Sequence, residues 1–217
     1  MKTDPDPDRS SQRYGYDRKI PKEPAWIVTE IDGKIASVSV DYRLFAQIAS
    51  KVADLPMKTI GKISTRKIAT DDLISLAENV TWDDLRLFGT DFQLNVWKNL
   101  YGLDHENDKK GLADARLYSY SEFSDICGNP LGVRSVAHAV GLNPVAFIIP
   151  CHLIVPKEAI DKIEEIRSKA QDTLFKGKDL YLLNSIDVGE YAYGSFLKRR
   201  FIAAQFANSQ ISGTTTH

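Results

Sequence analysis

Cysteine is scarce in this chain, with only Cys127 and Cys151 among 217 residues. Two thiols cannot build the disulfide framework of a small secreted domain. Neither belongs to a Cys-x-x-Cys pair, so the pattern holds no dithiol redox motif and no cysteine zinc site. The four histidines, at 105, 138, 152 and 217, lack metal-ligand spacing, and neither a metal nor a cofactor is expected. No apolar run approaches the roughly 20 residues that a membrane-crossing helix needs. The opening MKTDPDPDRSSQRYGYDRK has no apolar stretch of the secretory kind, so the expectation is a cytoplasmic protein with no membrane partner. An excess of positive charge is also missing. Lys and Arg number 28 against 29 Asp and Glu, for a net charge of -1. Bulk electrostatic capture of nucleic acid is thereby excluded, since that mode scales with the phosphates neutralised. Any DNA contact has to be local, and the basic run Lys198-Arg199-Arg200 reads as a solvated helix face.

What is present is an ordinary globular composition, 43% hydrophobic and 26% charged, enough for one good core or two modest ones. Residues 1–24, with Asp-Pro-Asp-Pro and few apolar side chains, read as a loose arm. Two β-rich runs over 25–40 flank Asp32-Gly33, a strong hairpin signal. Leu44, Ile48 and Val52 have helical spacing over 43–54, and a second short helix starts at Thr70. These pieces make a small N-terminal α/β domain, 25–87.

Thr90-Asp91-Phe92-Gln93 has the form of a capping box and opens a helix carrying Phe92, Val96 and Leu100 on one face. The polar, glycine-containing stretch 101–115 reads as a loop. A second capping box, Ser119-Tyr120-Ser121-Glu122, opens a helix that runs to Cys127 and is stopped by Gly128. Another helix follows over 132–140, and the pair has the length and turn of a helix-turn-helix. On its second member, Val133, Val136, Ala137 and Val140 can face inward while Arg134, Ser135 and His138 share the outer side. The expected fold class is α+β: the hairpin-containing N-terminal domain, then a helical C-terminal domain, 88–207, with an insertion at about 156–188 and a flexible tail over 208–217.

Asn143-Pro144 makes a turn, the apolar run 145–149 reads as a buried strand, and the chain arrives at Pro150-Cys151-His152. A thiol acts as a nucleophile only as thiolate, and His152 is the neighbouring base. Adjacent residues of an extended strand point to opposite faces, so contact between the two needs a turn at Pro150 or a bridging water. A Cys-His dipeptide alone equally suits an inert core cysteine, the reading that Cys127 also receives.

Taken in order, TDFQLNVWKNL, YSYSEF, GNP, GVRSVAHAVG and NPVAFIIPCHLIV resemble the C-terminal domain of the O6-alkylguanine-DNA alkyltransferases, also called methylated-DNA–protein-cysteine methyltransferases. The likeness runs from residue 88 to 155 and resumes from Gly189 to about Gln205 with a Tyr-x-x-Gly and a basic helix. It implies that Cys151 accepts the alkyl group from O6 of guanine in one irreversible displacement, and that His152 relays the thiol proton through water. It makes Asn143 the brace of the site, Tyr120 the tyrosine that holds the target nucleotide extrahelical, and Arg134 the side chain filling the gap the base leaves. Ser135, Ile154 and Ala192 fall on further DNA- or lesion-binding positions. The implied partner is double-stranded DNA containing O6-alkylguanine, and the implied state is a monomer.

The likeness is broken at three places. Leu153 stands where the family has arginine, Gln205 stands where it has the glutamate that charges the histidine, and Ala192 replaces a hydroxyl residue. The insertion carries an amphipathic segment with Ile160, Ile163, Ile166 and Ala170 on one face, expected as a surface helix that is either decoration or a device narrowing the pocket or docking a partner. The other readings are a protein that binds or flags alkylated bases without transfer, a thiol enzyme of small molecules, and a structural helix-turn-helix protein.

Overall fold

The structure, a computed structural model, describes residues 23–40, 61–105, 116–169 and 183–211. The helix expected over 43–54, most of the N-terminal arm and the C-terminal tail lie outside the described residues.

The hairpin forms as the sequence implies. Strand β1 (Trp26–Ile31) pairs antiparallel with β2 (Lys34–Ser39). Both turn residues have positive φ, 54° at Asp32 and 76° at Gly33, the backbone twist that matches the twist of the flanking strands. A third strand, β3 (Ile63–Ile68), pairs antiparallel with the other edge of β1, giving the order β2-β1-β3. The free edge of β2 is covered by the later chain: Arg86 N–H donates to the Ile35 carbonyl at 2.9 Å and Val38 N–H to the Pro144 carbonyl at 2.9 Å. The sheet edge, a liability when bare, thus becomes the seam joining the two halves of the protein.

Helix α1 (Thr70–Ala77) begins where expected, and Thr70 Oγ1 accepts a hydrogen bond from Trp26 Nε1 at 3.1 Å. Helix α2 (Asp91–His105) opens on the reciprocal box, Thr90 N–H to Gln93 Oε1 at 3.0 Å and Gln93 N–H to Thr90 Oγ1 at 3.3 Å. It corrects the loop expected from residue 101. The last turn stays helical through Gly102 because Tyr101 anchors it, its hydroxyl donating to the Val80 carbonyl at 3.0 Å and its ring lying 5.5 Å from Trp82. Tertiary packing here overrides a weak local preference.

Helices α3 (Tyr120–Ile126) and α4 (Val133–Gly141) follow. Ser119 Oγ accepts from Glu122 N–H at 3.2 Å, while the Glu122 carboxylate pairs with Arg116 at 2.9 Å. Gly128, at φ 72°, stops α3 as read. On α4, Val136, Ala139 and Val140 are buried and Arg134, Ser135 and His138 are exposed. Trp97 Nε1 donates to the Ala139 carbonyl at 2.9 Å, pinning α2 to α4.

The strand expected over 145–149 is not one. Val145 makes a single bridge to Val38, and the chain then folds back on itself, with Ile148 N–H donating to Ala146 at 2.9 Å and Ile149 N–H to Val145 at 3.1 Å. Phe147 sits at φ 68°, a left-handed conformation that costs a bulky residue energy. An unbroken apolar run reports burial and cannot distinguish a strand from a buried turn.

The short strands β4 (Tyr118–Ser119) and β5 (Ile154–Val155) pair in parallel. Helix α5 (Lys157–Lys169) comes from the inserted segment, and α6 (Ser195–Ile211) closes the described chain. One core runs from Trp26 and Val38 of the sheet through Trp97, Phe123 and Ile149 to Phe201. A second, smaller one gathers Leu153, Val155, Ala159, Ile163, Ile202 and Phe206. Helix α5 therefore builds its own core on the far side of the Cys151–Leu153 turn. Among the described residues none of α5 lines the cleft beside Cys151, so the expectation that the helix narrows that pocket is overturned.

Candidate active site

Every polar atom of the buried Asn143 side chain is used. Its Oδ1 accepts from Val145 N–H at 3.0 Å, and its Nδ2 donates to the Ile149 carbonyl at 2.8 Å and to Cys151 Sγ at 3.1 Å. One amide thereby fixes both ends of the folded-back segment and aims the sulfur. The chain turns at Pro150 into a single 3-10 turn, Cys151–Leu153, with Cys151 N–H donating to Ile149 at 2.8 Å. The thiol points at the Tyr191 hydroxyl, 3.9 Å away.

Cys151 is 7% exposed and forms part of the wall of a partly open cleft. Tyr120, Ala137, Gly141, Asn143, Tyr191, Ala192 and Lys198 also line it, and it encloses about 390 Å³ of empty space counting its mouth. Gly189, at φ 76°, lets the returning chain approach: a Cβ there would lie 3.0 Å from Pro156 Cδ and 3.5 Å from the Tyr120 hydroxyl.

His152 lies behind the cleft. It is fully buried, stacked on Phe147 with ring centroids 5.0 Å apart and 12° between planes, and 5.7 Å from Phe201. Among the described residues neither imidazole nitrogen has a hydrogen-bond partner, and no direct hydrogen bond joins the ring to Cys151. The amide of Gln205 acts on the ring, favouring its protonated form, without closing a hydrogen bond of good geometry. Burial dominates and holds the imidazole down at about 3, with the Lys198 charge pushing the same way.

Acid stability follows. The folded state keeps His152 neutral, whereas the unfolded chain protonates it near 6.5, so protons favour unfolding. Stability should fall as pH drops from about 6.5 to about 3, by at most about 1.4 kcal/mol per pH unit, and level off below that window. Urea unfolding across this range should show the slope, and His152→Phe should flatten it; an equal slope in both proteins would contradict the assignment.

Burial also pushes the Cys151 thiol up, opposed by its hydrogen bonds with Asn143 and Tyr191 and by the charge of Lys198. Cys127, half-buried, is raised to about 11 by burial alone and has no activating partner among the described residues, in keeping with a packing role. Lys198 is 1% exposed, with Nζ donating to the Ile154 carbonyl at 2.8 Å and the Glu190 carbonyl at 3.5 Å. Burial lowers it to about 8, against the pull of Cys151 and Asp187.

The structure thus brings Cys151, Asn143, Tyr120 and Ala192 to one cleft, with His152 and Gln205 packed behind. Arg134 and Ser135 lie on the exposed side of α4, Arg134 one helical turn before the cleft-lining Ala137. Ile154 is corrected: its side chain is fully buried and its carbonyl is occupied by Lys198, so it supports the wall without facing the cleft. The solvated basic face is corrected too. Lys198 is inside, Arg199 donates to the Ile186 carbonyl at 2.8 Å, and Arg200 pairs with Glu23 and, at 2.9 Å, with Asp71. Sequence reasoning missed Tyr191 and Lys198 as site residues. The signal for Lys198 was available, because it shares a helical stripe with Phe201, Ile202 and Gln205 at i+3, i+4 and i+7. Among the described residues no group of three or more His, Cys, Asp or Glu could hold a metal, and no helix is long and apolar enough to cross a membrane.

Residues 111–172, which contain α3, α4 and the Cys151 turn, match the family described as 6-O-methylguanine DNA methyltransferase, DNA binding domain. Over that segment the chain is similar to the DNA-binding domain of this family. A probable methylated-DNA–protein-cysteine methyltransferase of Acanthamoeba polyphaga mimivirus is 40% identical over 74 residues, 34% of this chain and 44% of the relative. The Mycobacterium bovis methylated-DNA–protein-cysteine methyltransferase is 34% identical over 106 residues, 42% of this chain and 59% of the relative. The chain therefore spans about half the length of the curated relatives it matches. A crystal structure of Mycobacterium tuberculosis O6-methylguanine methyltransferase aligns over 81% of this chain and 82% of that one, at 20% identity and a TM-score of 0.44. Within the matched segment Leu153 is 2% exposed and packs in the core that α5 completes.

Proposed function

We propose that this protein repairs alkylated DNA directly, moving an alkyl group from O6 of guanine to Cys151 once per molecule. The observation that carries the reading is the Cys151 sulfur, aimed by Asn143 Nδ2 at 3.1 Å and forming part of the wall of a partly open cleft with polar lining. A stacked guanine cannot offer its O6 substituent in line to a protein sulfur, so the base must leave the duplex. Helices α3 and α4 then act as a helix-turn-helix. The exposed Arg134 fills the gap in the stack, Ser135 contacts the strand beside it, and Tyr120 and Ala192 frame the base. In this conformation the space beside the sulfur holds about two water-sized spheres, so a purine enters as the walls part.

In the transfer step the sulfur lone pair forms the S–C bond while the C–O6 bond breaks. The guanine leaves with that electron pair, and the proton given up by the thiol ends on the base. No external reductant, cofactor or metal enters the balance. The acting unit is a monomer, with residues 88–207 as the transferring domain, 25–87 as its N-terminal buttress and 156–188 as an addition to it. Incubation with duplex containing O6-methylguanine should add the mass of one methyl group to the peptide carrying Cys151, with one equivalent consumed. Cys151→Ser and an unmodified duplex should give none. Tight lesion binding with no mass gain would overturn transfer in favour of a lesion-flagging role, and multiple turnover of small molecules without DNA would overturn both.

A further inference from the structure

We propose that the ammonium of Lys198, not an imidazolium at His152, is the counter-charge that lets Cys151 ionise. The idea rests on the alkyl-transfer reading for its purpose, and it makes Lys198 a positioning residue that acts through the sulfur.

Three observations on the geometry carry it. Lys198 is a cation with 1% exposure whose hydrogen bonds go to two backbone carbonyls, and it makes no ion pair among the described residues. An ammonium buried without an anion is costly, so the site is built to hold a negative charge that the neutral protein lacks. Second, Lys198 and Cys151 line the same cleft, and the Ile154 carbonyl that Lys198 grips at 2.8 Å immediately follows the turn that carries the thiol. Third, the alternative cation is badly placed. His152 is flat against Phe147, has no hydrogen bond at either nitrogen among the described residues, and is backed by Gln205, which has no charge to give. The groups that act on Lys198 are Cys151 and Asp187, which favour its charged form. His152, if protonated, would repel it, and Glu190 meets it through its backbone carbonyl.

When the thiol proton departs, the negative sulfur faces an ammonium already in position, and no side chain has to reorganise. After transfer the sulfur is a neutral thioether and Lys198 is again without an anion. The substitution at position 205 is thus compatible with a reactive sulfur, since the stabilising charge comes from α6 two turns before Gln205.

The test follows thiolate ultraviolet absorbance against pH in a Cys127→Ser background, alongside methyl capture from duplex containing O6-methylguanine. Lys198→Met keeps the volume and removes the charge. It should raise the thiol inflection by about one pH unit or more and slow capture at neutral pH about tenfold, while Lys198→Arg should return the inflection most of the way. An unchanged inflection in folded Lys198→Met would overturn the proposal. Should Lys198→Met not fold, NMR of the Lys198 ammonium gives a second route: Cys151→Ser should move its midpoint down from about 8, and an unmoved midpoint is equally fatal. The two readings fail separately. A wild type that captures no methyl while the inflection still shifts refutes repair and leaves the counter-charge, whereas methyl capture with no shift does the reverse.

Discussion

Asn143→Ala should slow methyl capture by Cys151 about 100-fold and destabilise the protein by roughly 2–4 kcal/mol. The side chain makes three buried hydrogen bonds, to Val145 N–H, the Ile149 carbonyl and Cys151 Sγ, and alanine removes all three. Each such loss costs about 1–3 kcal/mol, reduced where the turn relaxes. The rate effect has a separate origin. An in-line displacement tolerates little error in the sulfur's position, and a shift of about 1 Å is enough for two orders of magnitude. Asn143→Asp divides the two effects, since it keeps an acceptor for Val145 N–H but sets a carboxylate against the sulfur and disfavours thiolate. Most of the stability should return while the rate stays low. Urea midpoints and single-turnover capture rates measure both, and an alanine variant with wild-type capture would refute the bracing role.

The second large effect belongs to Phe201→Ala, expected to cost about 3–5 kcal/mol. Phe201 is completely buried, and its ring lies 5.6 Å from Trp26, 4.6 Å from Phe147, 5.7 Å from His152 and 6.3 Å from Tyr191. One side chain thus ties the central strand of the N-terminal sheet to the strained Phe147 turn, to the buried imidazole and to the tyrosine facing the thiol. Truncation opens a cavity where those four meet, so capture should slow along with the loss of stability. Phe201→Leu should recover the larger part of both, because most of the volume returns. A Phe201→Ala protein within 1 kcal/mol of the wild type would show that the N-terminal sheet and the site are packed independently; the figure marks about the lower edge of what a core truncation leaves unnoticed.

Local chemistry was the legible part of the fold. The positive-φ pair at Asp32-Gly33, the box at Thr90 and the stop at Gly128 each depend on a few neighbouring residues, so they survive folding unchanged; of the box at Ser119 only the serine half forms, because the Glu122 carboxylate is drawn to Arg116. The exposed side of α4 was readable for the same reason, since three-residue and four-residue spacings decide it. Strand β3 gave no such signal. Its positions from Ile63 to Lys67 are exposed, so burial imposed no alternation on the sequence, and the strand exists because β1 offers an edge. The run 145–149 failed differently, being apolar throughout in a turn and in a strand alike.

By itself the sequence determined that a lone cysteine follows a proline at the end of an apolar run, behind two capped helices, with no metal set, no membrane span and no net positive charge. Those are properties of composition and short spacing. Tertiary structure decided the environment of that cysteine: Asn143 reaching eight positions along the chain to the sulfur, His152 turned away into an aromatic stack, and Lys198 drawn from an apparently solvated basic run into the cleft wall. A side chain's charge is written in the sequence, but its solvation is not, because the dielectric around it is set by residues that only folding brings together.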